Sequence, residues 1–545
     1  MLPQDSKNAL VRSRWLGFGF LLVPFAIYVW RSLALRGWIV DDAAISFAFA
    51  RTFSLGQGLA PQVGAIPVEG YSNPLWVFAM SPFFLLGVFD PYITPKLIST
   101  ILVGITFWQI HRCFCITGSS SAVSVVVITL LALNTSLVVW TSSGLENALL
   151  AALVASLLQV SLREIVSETT SSARAILAGL LSAAIALTRP EGIVLSAGYP
   201  IAVALGIGKL KLKPGVLNRV LSYLGALGLL WGGYLLFRRF YFGDWVPNTY
   251  YVKGGPTLAD LGNAVILYGP FWSKWQTLIS SFLGARWWLV AWALLLLGAI
   301  VPLFTPTRRK AVLFSIGLSA LAGLTFLLMT DDYMREFRFA TSFIVLAYIS
   351  AGLALATLIS NLWNQQLWRR ILFVTLSGSL LFLTWRDHTP RLNEYAKWPA
   401  VNFRRITNEY GTRYDTIADR LGLDRASVLL PDIGGPLYYS HLRVYDLAGL
   451  CDRTISRTRG VDQPAFYAYL FDTIQPTFIH THGFFSYVSR LESDPRFARD
   501  YVGIADSLEE YGGGSVIIGD WIRRDQIAGK DSLLRQLQDS LAAQK

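Results

Sequence analysis

The sequence predicts an α-helical polytopic membrane protein that carries a C-terminal α/β domain. The chain of 545 residues is 53% hydrophobic and only 15% charged, with a mean hydropathy of +0.45. This balance is too apolar for a soluble protein. Separate apolar runs of span length precede residue 386, and the sequence after it has none. We therefore expect a membrane module over residues 1–385 and a soluble domain over residues 386–545.

About eleven apolar runs are predicted to cross the membrane. The stretch 74–88 is short for a crossing, so we place it on the outer surface, inside a first outer loop of residues 36–92. The predicted spans are 16–35, 93–108, 122–140, 148–162, 175–187, 193–207, 221–237, 287–304, 311–329, 339–359 and 371–385.

Basic residues set the predicted orientation. The formal charge of +12 comes from Lys and Arg in short clusters between apolar runs, as orientation signals do. If 74–88 is not counted as a membrane crossing, the dense basic clusters, such as 209–213 and 308–310, fall on the same side of the membrane as the N-terminus. We expect a multi-pass protein of the cell membrane with a cytoplasmic N-terminus and an extracytoplasmic C-terminal domain. The lipid bilayer is its surroundings, and nucleic acid is excluded as a partner.

The opposite face collects acids, a few cations and aromatics. Its loops read TSSGLEN, TRPEG, YFGDWVPNTYYVKGG and TDDYMREFRF, and they join the first outer loop. Charged side chains at span ends are costly to desolvate, so their repeated placement on one face predicts a shared polar cavity. Each residue alone also has an ordinary interpretation, as a helix cap, a snorkelling anchor or a member of the aromatic belt.

Two adjacent carboxylates, Asp41 and Asp42, directly follow the first span. The apolar spacing after them and the glycines at 56 and 58 predict a short amphipathic helix that begins at this pair. Asp is a preferred capping residue, so capping is the simpler interpretation. One capping carboxylate needs no second, and we therefore interpret the pair as a site.

The C-terminal domain is predicted to mix strands at 427–430, 442–447, 477–480 and 515–518 with helices at 395–421, 463–474 and 522–543. The segment PDIGGPLYYS, with Asp432, is predicted to be a tight connection between two strands. His480 and His482 form an HxH pattern. A metal site is one interpretation, but no third ligand follows at a telling spacing, so we favour ordinary packing.

These motifs carry a family resemblance. The segments DDAAISFAFAR, VEGYSNPLW, SSGLEN, RPEG, YFGDWVPNTYY, REFRF and DIGGPLYYSHLRVYDLAGL, in this order, resemble the terminal beta-arabinofuranosyltransferase family and its wider bacterial relatives. The resemblance runs from the first loop to about residue 450. It implies a GT-C fold glycosyltransferase with a polyprenyl-phosphate sugar donor, an extracytoplasmic active site and an acidic pair in the first outer loop.

Sugar transfer from a lipid phosphate needs a base, stabilisation of an oxocarbenium-like centre and cations for the departing phosphate. We assign Asp41 or Asp42 as the base, or as the carboxylate that organises the sugar, with the other in support. The residues predicted to bind the donor phosphate are Arg189, Lys253, Arg335 and Arg338. The residues predicted to bond sugar hydroxyls are Glu69, Glu146 and Asp244. The aromatic residues predicted to pack on the faces of the sugar ring are Tyr71, Trp245, Tyr250 and Tyr251. Further predicted substrate-binding residues are Asn73, Glu191, Asn248, Asp331, Asp332 and Asp432.

A divalent cation, Mg²⁺ or Ca²⁺, held by Asp41 or Asp42 stays open, since hard cations take carboxylate oxygens but the sequence has no dedicated metal loop. The expected acceptor is a glycan or glycolipid of the cell envelope. Two other functions stay open: a flippase or transporter of lipid-linked sugars, and a polysaccharide polymerase or ligase. The sequence shows no paired repeat of the kind transporters carry.

Overall fold

The structure is a computed structural model that describes residues 19–166, 171–207, 214–253, 274–278, 306–329, 332–362, 367–512 and 514–542. The predicted span 287–304 and the predicted site residue Asp331 lie outside these ranges. The chain forms two compact units. The helical unit comprises Met1–Trp38, Tyr92–Leu236 and Pro256–Ala400, and the sheet unit comprises Ile39–Pro91, Phe237–Gly255 and Val401–Lys545.

Helices form the framework of the described residues up to Lys397. In chain order they are α1 (Gly19–Leu35), α2 (Asp41–Ser54), α3 (Pro74–Leu85), α4 (Thr94–Ile116), α5 (Ser121–Leu133), α6 (Thr135–Thr141), α7 (Asn147–Val166), α8 (Ser172–Thr188), α9 (Gly198–Ile207), α10 (Pro214–Leu227), α11 (Gly233–Tyr241), α12 (Asn248–Lys253), α13 (Pro306–Leu328), α14 (Thr341–Leu362) and α15 (Leu367–Lys397). A 3-10 helix at Pro190–Ala197 leads into α9, and a π-helix at Gly228–Gly232 joins α10 to α11.

Several of these helices have the length and apolar composition of membrane spans. Within the described ranges five qualify: Thr94–Ile116, Asn147–Val166, Gly215–Tyr241, Arg308–Leu328 and Arg338–Ala356. The pair α5 and α6 adds a sixth if its two parts count as one span. The protein is thus a polytopic helical membrane protein, as predicted, while the number of eleven spans stays a prediction.

The prediction of one continuous helix at 122–140 is wrong, because α5 and α6 meet at a bend of 67°. Asn134 lies at the bend. Its Oδ1 accepts the N–H of Leu137 at 3.0 Å, and its Nδ2 donates to the hydroxyl of Tyr348 at 3.3 Å. A capping side chain starts a new helix in a new direction, so Asn134 ends α5 and begins α6.

The sheet unit contains a mixed sheet with the strand order β2-β1-β3-β5-β4. β1 pairs parallel with β2 and β3, whereas β5 pairs antiparallel with β3 and β4. The strands are β1 (Ser427–Leu430), β2 (Arg443–Asp446), β3 (Phe478–Thr481), β4 (Tyr501–Tyr511) and β5 (Gly514–Arg523). The helices after α15 are α16 (Phe403–Ile406), α17 (Arg413–Leu421), α18 (Gly434–Tyr439), α19 (Ile455–Thr458), α20 (Gln463–Ala468), α21 (Gly483–Ser489), α22 (Pro495–Asp500) and α23 (Asp531–Ala542).

The connection from β1 to β2 differs from the prediction. The two strands run parallel, and parallel strands need a crossover rather than a tight turn. The crossover here contains the short helix α18. The prediction of a tight connection over 431–440 is therefore wrong, and the glycines of this segment lie in the first turn of a helix.

The sheet unit combines segments that are far apart in sequence. It includes α2 and α3 of the first outer loop together with everything after Ala400. The predicted domain limit between residues 385 and 386 falls inside α15, and the sheet unit resumes at Val401. Within the unit, Val40 forms an antiparallel bridge with Asn402, and the N–H of Asp41 donates to the carbonyl oxygen of Val401 at 2.9 Å.

Candidate active site

The carboxylate of Asp41 is bound by backbone groups from a distant part of the chain. Asp41 is the first residue of α2 and is 3% exposed. Its Oδ2 accepts the N–H of Gly434 at 2.8 Å, and its Oδ1 accepts the N–H of Gly435 at 2.7 Å. These glycines open α18, so Asp41 supplies the acceptors that the start of a helix otherwise lacks.

Both positions require glycine because the backbone of α18 packs directly against neighbouring atoms and leaves no space for a Cβ atom. A Cβ atom added at Gly434 would lie 2.1 Å from the carbonyl oxygen of Asp41 and 2.6 Å from its Oδ2. A Cβ atom at Gly435 would lie 2.4 Å from Oγ1 of Thr407 and 2.7 Å from its backbone nitrogen. Neither position has room for a side chain.

The opposite end of α18 is held by the same helix. Arg51, in the last turn of α2, donates from Nη1 to the carbonyl oxygen of Tyr438 at 2.7 Å and from Nη2 to that of Leu437 at 2.9 Å. Carbonyl groups at a helix end have no partner within the helix, and arginine satisfies two of them here. We call these four hydrogen bonds, made by Asp41 and Arg51, the Asp41–Arg51 clamp.

The two carboxylates of the acidic pair differ in environment. Burial, and then the nearby charge of Asp432, raises the pKa of Asp41 well above its usual range; Asp42 adds to the rise, and the two glycine N–H groups oppose it. Asp42 is partly exposed. Asp41 therefore positions α18, and Asp42 is the more accessible carboxylate of the pair.

The predicted residue Asp432 contacts His482, the second histidine of the HxH pattern. Nε2 of His482 lies 3.0 Å from Oδ2 of Asp432, and Nδ1 of His480 lies 2.7 Å from Oδ1 of Asp520. The ring of Tyr410 packs on His480, with 4.5 Å between centroids. Within the described part of the chain, no group of three or more His, Cys, Asp or Glu side chains is placed to hold a metal ion.

Glu69 of the first outer loop pairs with Arg238, a residue that sequence reasoning missed. Nε of Arg238 donates to Oε2 of Glu69 at 2.5 Å, and Nη2 donates to Oε1 at 3.1 Å. Both residues are buried. Nη1 of Arg238 also donates to the carbonyl oxygen of Trp245 at 3.2 Å. The only signal for Arg238 was its position directly after the predicted span 221–237.

Two other predicted residues of the first outer loop contact α2. The ring of Tyr71 packs edge-on against Phe49, with 4.8 Å between centroids. Oδ1 of Asn73 accepts the hydroxyl of Ser46 at 3.1 Å. Tyr71 and Asn73 are both buried, so the structure joins them to the helix that begins with the acidic pair.

Asp244 is flanked by cations of the sheet unit. Nη2 of Arg457 lies 2.8 Å from its Oδ1, and Nη2 of Arg453 lies 3.3 Å from its Oδ2. The hydroxyl of Tyr251 donates to Oδ1 of Asp244 at 3.4 Å, and the guanidinium of Arg457 lies 4.6 Å from the centroid of the Tyr251 ring. The carboxylate thus joins two arginines to α12, and its contact with a sugar stays a prediction.

Asn248 binds the loop that follows β2. Its Nδ2 donates to the carbonyl oxygens of Gly449 at 2.7 Å and Leu450 at 2.9 Å. The rings of Trp245 and Tyr250 are exposed, as a surface for a sugar ring requires. Lys253 is the last residue of α12, and its side chain lies outside the described atoms.

In the helical unit, Arg189 joins two predicted acids. Its Nη1 lies 2.6 Å from Oε1 of Glu146, and its Nε lies 2.5 Å from Oε1 of Glu191. The guanidinium lies 4.4 Å from the centroid of the Phe339 ring. Arg189, Glu191 and Phe339 line a small cavity of this unit.

Arg338 is held in the same region of the helical unit. Its Nε lies 2.9 Å from Oδ2 of Asp332, and its guanidinium lies 4.7 Å from the centroid of the Phe339 ring. Arg335 differs, because its side chain is 50% exposed and pairs with the exposed Glu394 at 3.2 Å. Arg335 is therefore the more accessible of these two cations.

The predicted site residues fall into two groups, one in each unit. The sheet unit holds Asp41, Asp42, Glu69, Tyr71, Asn73, Asp244, Trp245, Asn248, Tyr250, Tyr251, Lys253 and Asp432. The helical unit holds Glu146, Arg189, Glu191, Asp332, Arg335 and Arg338. Sequence reasoning missed the roles of Arg51 and Arg238, and for His482 it weighed a metal site against ordinary packing and favoured packing.

Solved structures share this fold. The crystal structure of ArnT from Cupriavidus metallidurans, bound to undecaprenyl phosphate, aligns with a TM-score of 0.54 at 13% sequence identity, covering 93% of this chain and 98% of ArnT. The cryo-EM structure of the arabinofuranosyltransferase AftD from Mycobacteria aligns with a TM-score of 0.51 at 13% identity. That alignment covers 93% of this chain and 40% of AftD.

The likeness is one of structure rather than of sequence. No protein-family model matches the chain, and no curated protein matches it. Both solved structures align over nearly the whole chain, so the shared architecture includes both of its units. The resemblance found in the sequence motifs is confirmed at this level: the chain has the GT-C fold.

Proposed function

We propose that this protein is a membrane glycosyltransferase that moves a sugar from a polyprenyl-phosphate donor to a glycan or glycolipid acceptor of the cell envelope. The observation that carries the proposal is the acidic pair at the start of α2. One carboxylate, Asp41, is fixed on α18, and its neighbour Asp42 is partly exposed. A fixed backbone beside an accessible carboxylate is what a positioned catalytic group requires.

The chemistry assigns roles to the accessible residues. Asp42 acts as the base for the acceptor hydroxyl or as the carboxylate that organises the sugar, and Asp41 supports it. The exposed Arg335 is the cation proposed for the donor phosphate, because its surface pair with Glu394 is weak and easily exchanged. Trp245 and Tyr250 offer exposed rings for stacking.

The names of the structural neighbours support the donor class. ArnT was crystallised with undecaprenyl phosphate, and AftD is an arabinofuranosyltransferase. Arabinofuranose is therefore the first sugar to test. The distribution of basic residues supports an active site and a C-terminal domain on the extracytoplasmic side of the membrane.

A divalent cation at Asp41 or Asp42 is not needed for this assignment. Each oxygen of Asp41 already accepts a backbone N–H. Among the described residues, no group of three or more His, Cys, Asp or Glu side chains is placed to hold a metal ion there. We therefore assign no step to a metal.

The proposal is tested by transfer from synthetic polyprenyl-phosphate sugars, arabinofuranose first, to a short glycan acceptor with purified protein. We expect labelled product from the wild type. Asp42→Asn should retain the fold and lose activity by roughly 100-fold or more, as expected for the loss of a carboxylate that acts as the base or organises the sugar. Asp41→Asn should also lower the melting temperature, because an amide group would face one of the glycine N–H donors.

The same assay separates the alternatives. Movement of the lipid-linked sugar across vesicles, with no new glycosidic bond for any donor, would reject transfer in favour of a flippase. Products that grow by many sugar units would indicate a polymerase. An Asp42→Asn protein with wild-type rates would remove Asp42 from the mechanism.

A further inference from the structure

The imidazole of His482 is held in one orientation. His482 precedes α21, and its Nε2 lies 3.0 Å from Oδ2 of Asp432. Its ring packs edge-on against Phe485, with 5.9 Å between centroids, and nearly parallel to the ring of Tyr410 at 6.4 Å. The hydrogen bond and these ring contacts restrict the rotation of the imidazole.

The pairing with Asp432 also fixes the protons of this ring. A carboxylate oxygen only accepts hydrogen bonds, so Nε2 carries the hydrogen and Nδ1 of the neutral ring keeps its lone pair. Within the described residues Nδ1 has no hydrogen-bond partner, and the side chain is 38% exposed. An imidazole oriented by a carboxylate through one nitrogen, with the other free, is the arrangement of a general base.

The other histidine of the HxH pattern serves as a comparison. His480 also pairs with a carboxylate, that of Asp520, but its side chain is only 11% exposed. Asp520 additionally binds Arg413 at 2.5 Å and the hydroxyl of Tyr414. His480 therefore belongs to a buried network, whereas His482 reaches solvent.

His482 and Asp432 lie close to the acidic pair. Asp432 comes two residues before Gly434, whose N–H binds Asp41. The charge of Asp432 raises the pKa of Asp41, so the two carboxylates lie within electrostatic range. Asp432 and His482 thus lie in the same part of the sheet unit as the acidic pair.

We propose that His482, oriented by Asp432, is the general base of this site. The proposal rests on the proposed function. The proton of the acceptor hydroxyl moves to Nδ1 as the acceptor oxygen bonds to the anomeric carbon of the sugar. The bond from that carbon to the phosphate oxygen breaks, and its electron pair leaves with the polyprenyl phosphate. Water then takes the proton from the imidazolium, and Asp42 is left to organise the sugar.

The test uses the full-length protein in detergent, initial transfer rates and added imidazole. We expect His482→Ala to lower kcat by roughly 100-fold or more, with KM for the donor little changed. Free imidazole should restore part of that rate, because the truncated side chain leaves space for it. His482→Gln keeps a hydrogen-bond donor for Asp432 and should fold normally, yet it should stay slow, because an amide is not a base.

His441→Ala is the matched control. His441 is 57% exposed and lies 3.6 Å from Asp415 and 3.4 Å from Asp419, so it is also a surface histidine beside carboxylates. We expect wild-type rates from this variant and no response to imidazole. Asp432→Asn should slow transfer less than His482→Ala, because Asp432 acts only through the ring.

The outcomes separate the two proposals. Wild-type rates in His482→Ala or His482→Gln, or a loss that imidazole leaves unchanged, would overturn the assignment of the base while transfer itself stands. A wild-type protein that forms no product with any donor would overturn the proposed function instead.

Discussion

Gly434→Ala is expected to abolish sugar transfer and to destabilise the sheet unit. The new methyl group would lie 2.1 Å from the carbonyl oxygen of Asp41 and 2.6 Å from its Oδ2, and these atoms cannot move without shifting α2. Overpacking of this kind costs about 1–3 kcal/mol. Loss of the N–H bonds to a buried carboxylate adds roughly 1–3 kcal/mol.

Gly411→Ala is the control for this substitution. Gly411 lies in the same unit, and the nearest atom to an added Cβ there is 3.6 Å away, an ordinary van der Waals contact. Melting temperature in detergent and initial transfer rates should fall together for Gly434→Ala and stay near wild type for Gly411→Ala. If Gly434→Ala kept full stability and activity, the clamp would have no role in holding the site.

Glu69→Gln is expected to lower the stability of the sheet unit by about 3–5 kcal/mol, the usual cost of removing one partner of a buried ion pair. Arg238 is 7% exposed, and two of its nitrogens donate to the Glu69 carboxylate. The neutral amide would remove the negative charge that this buried guanidinium contacts and would place an NH₂ group beside its donors. The loss should appear as a lower melting temperature.

An exposed pair gives the comparison. Arg405 and Glu409 lie 2.8 Å apart, with side chains 73% and 40% exposed. Glu409→Gln should leave the melting temperature unchanged, because solvent screens such a pair. Equal melting temperatures for Glu69→Gln and Glu409→Gln would show that the Glu69–Arg238 pair contributes no more than a surface contact.

Local patterns were sufficient for the short, mostly buried strands β1 and β3. The apolar run 427–430 coincides with β1, and the run 477–480 overlaps β3. β4 escaped prediction because its second half, from Ser507 to Tyr511, is exposed on both faces and pairs only with β5. Such a strand lacks the alternation of apolar and polar residues from which strands are recognised.

The sequence predicted which types of residue form the site, but not which residues they contact. Asp41 and Asp42 stood out as two acids beside a membrane span, but nothing near them in sequence indicated that Asp41 binds Gly434. The segment 431–440 resembles a turn because it contains two glycines and two prolines, but its central part forms a helix whose two ends are hydrogen-bonded to α2. Interactions over hundreds of residues are invisible to local periodicity.

The Asp41–Arg51 clamp joins two segments that are synthesised at different times. Asp41 and Gly434 are 393 residues apart. At the usual rate of chain elongation, roughly 20–80 s pass between the appearance of Asp41 and that of its partner. Throughout this interval α2 lacks both the N–H groups and the carbonyl groups that fix it. A nascent chain therefore holds the acidic pair without its support, and the site is completed only after Gly434 and Gly435 have been made.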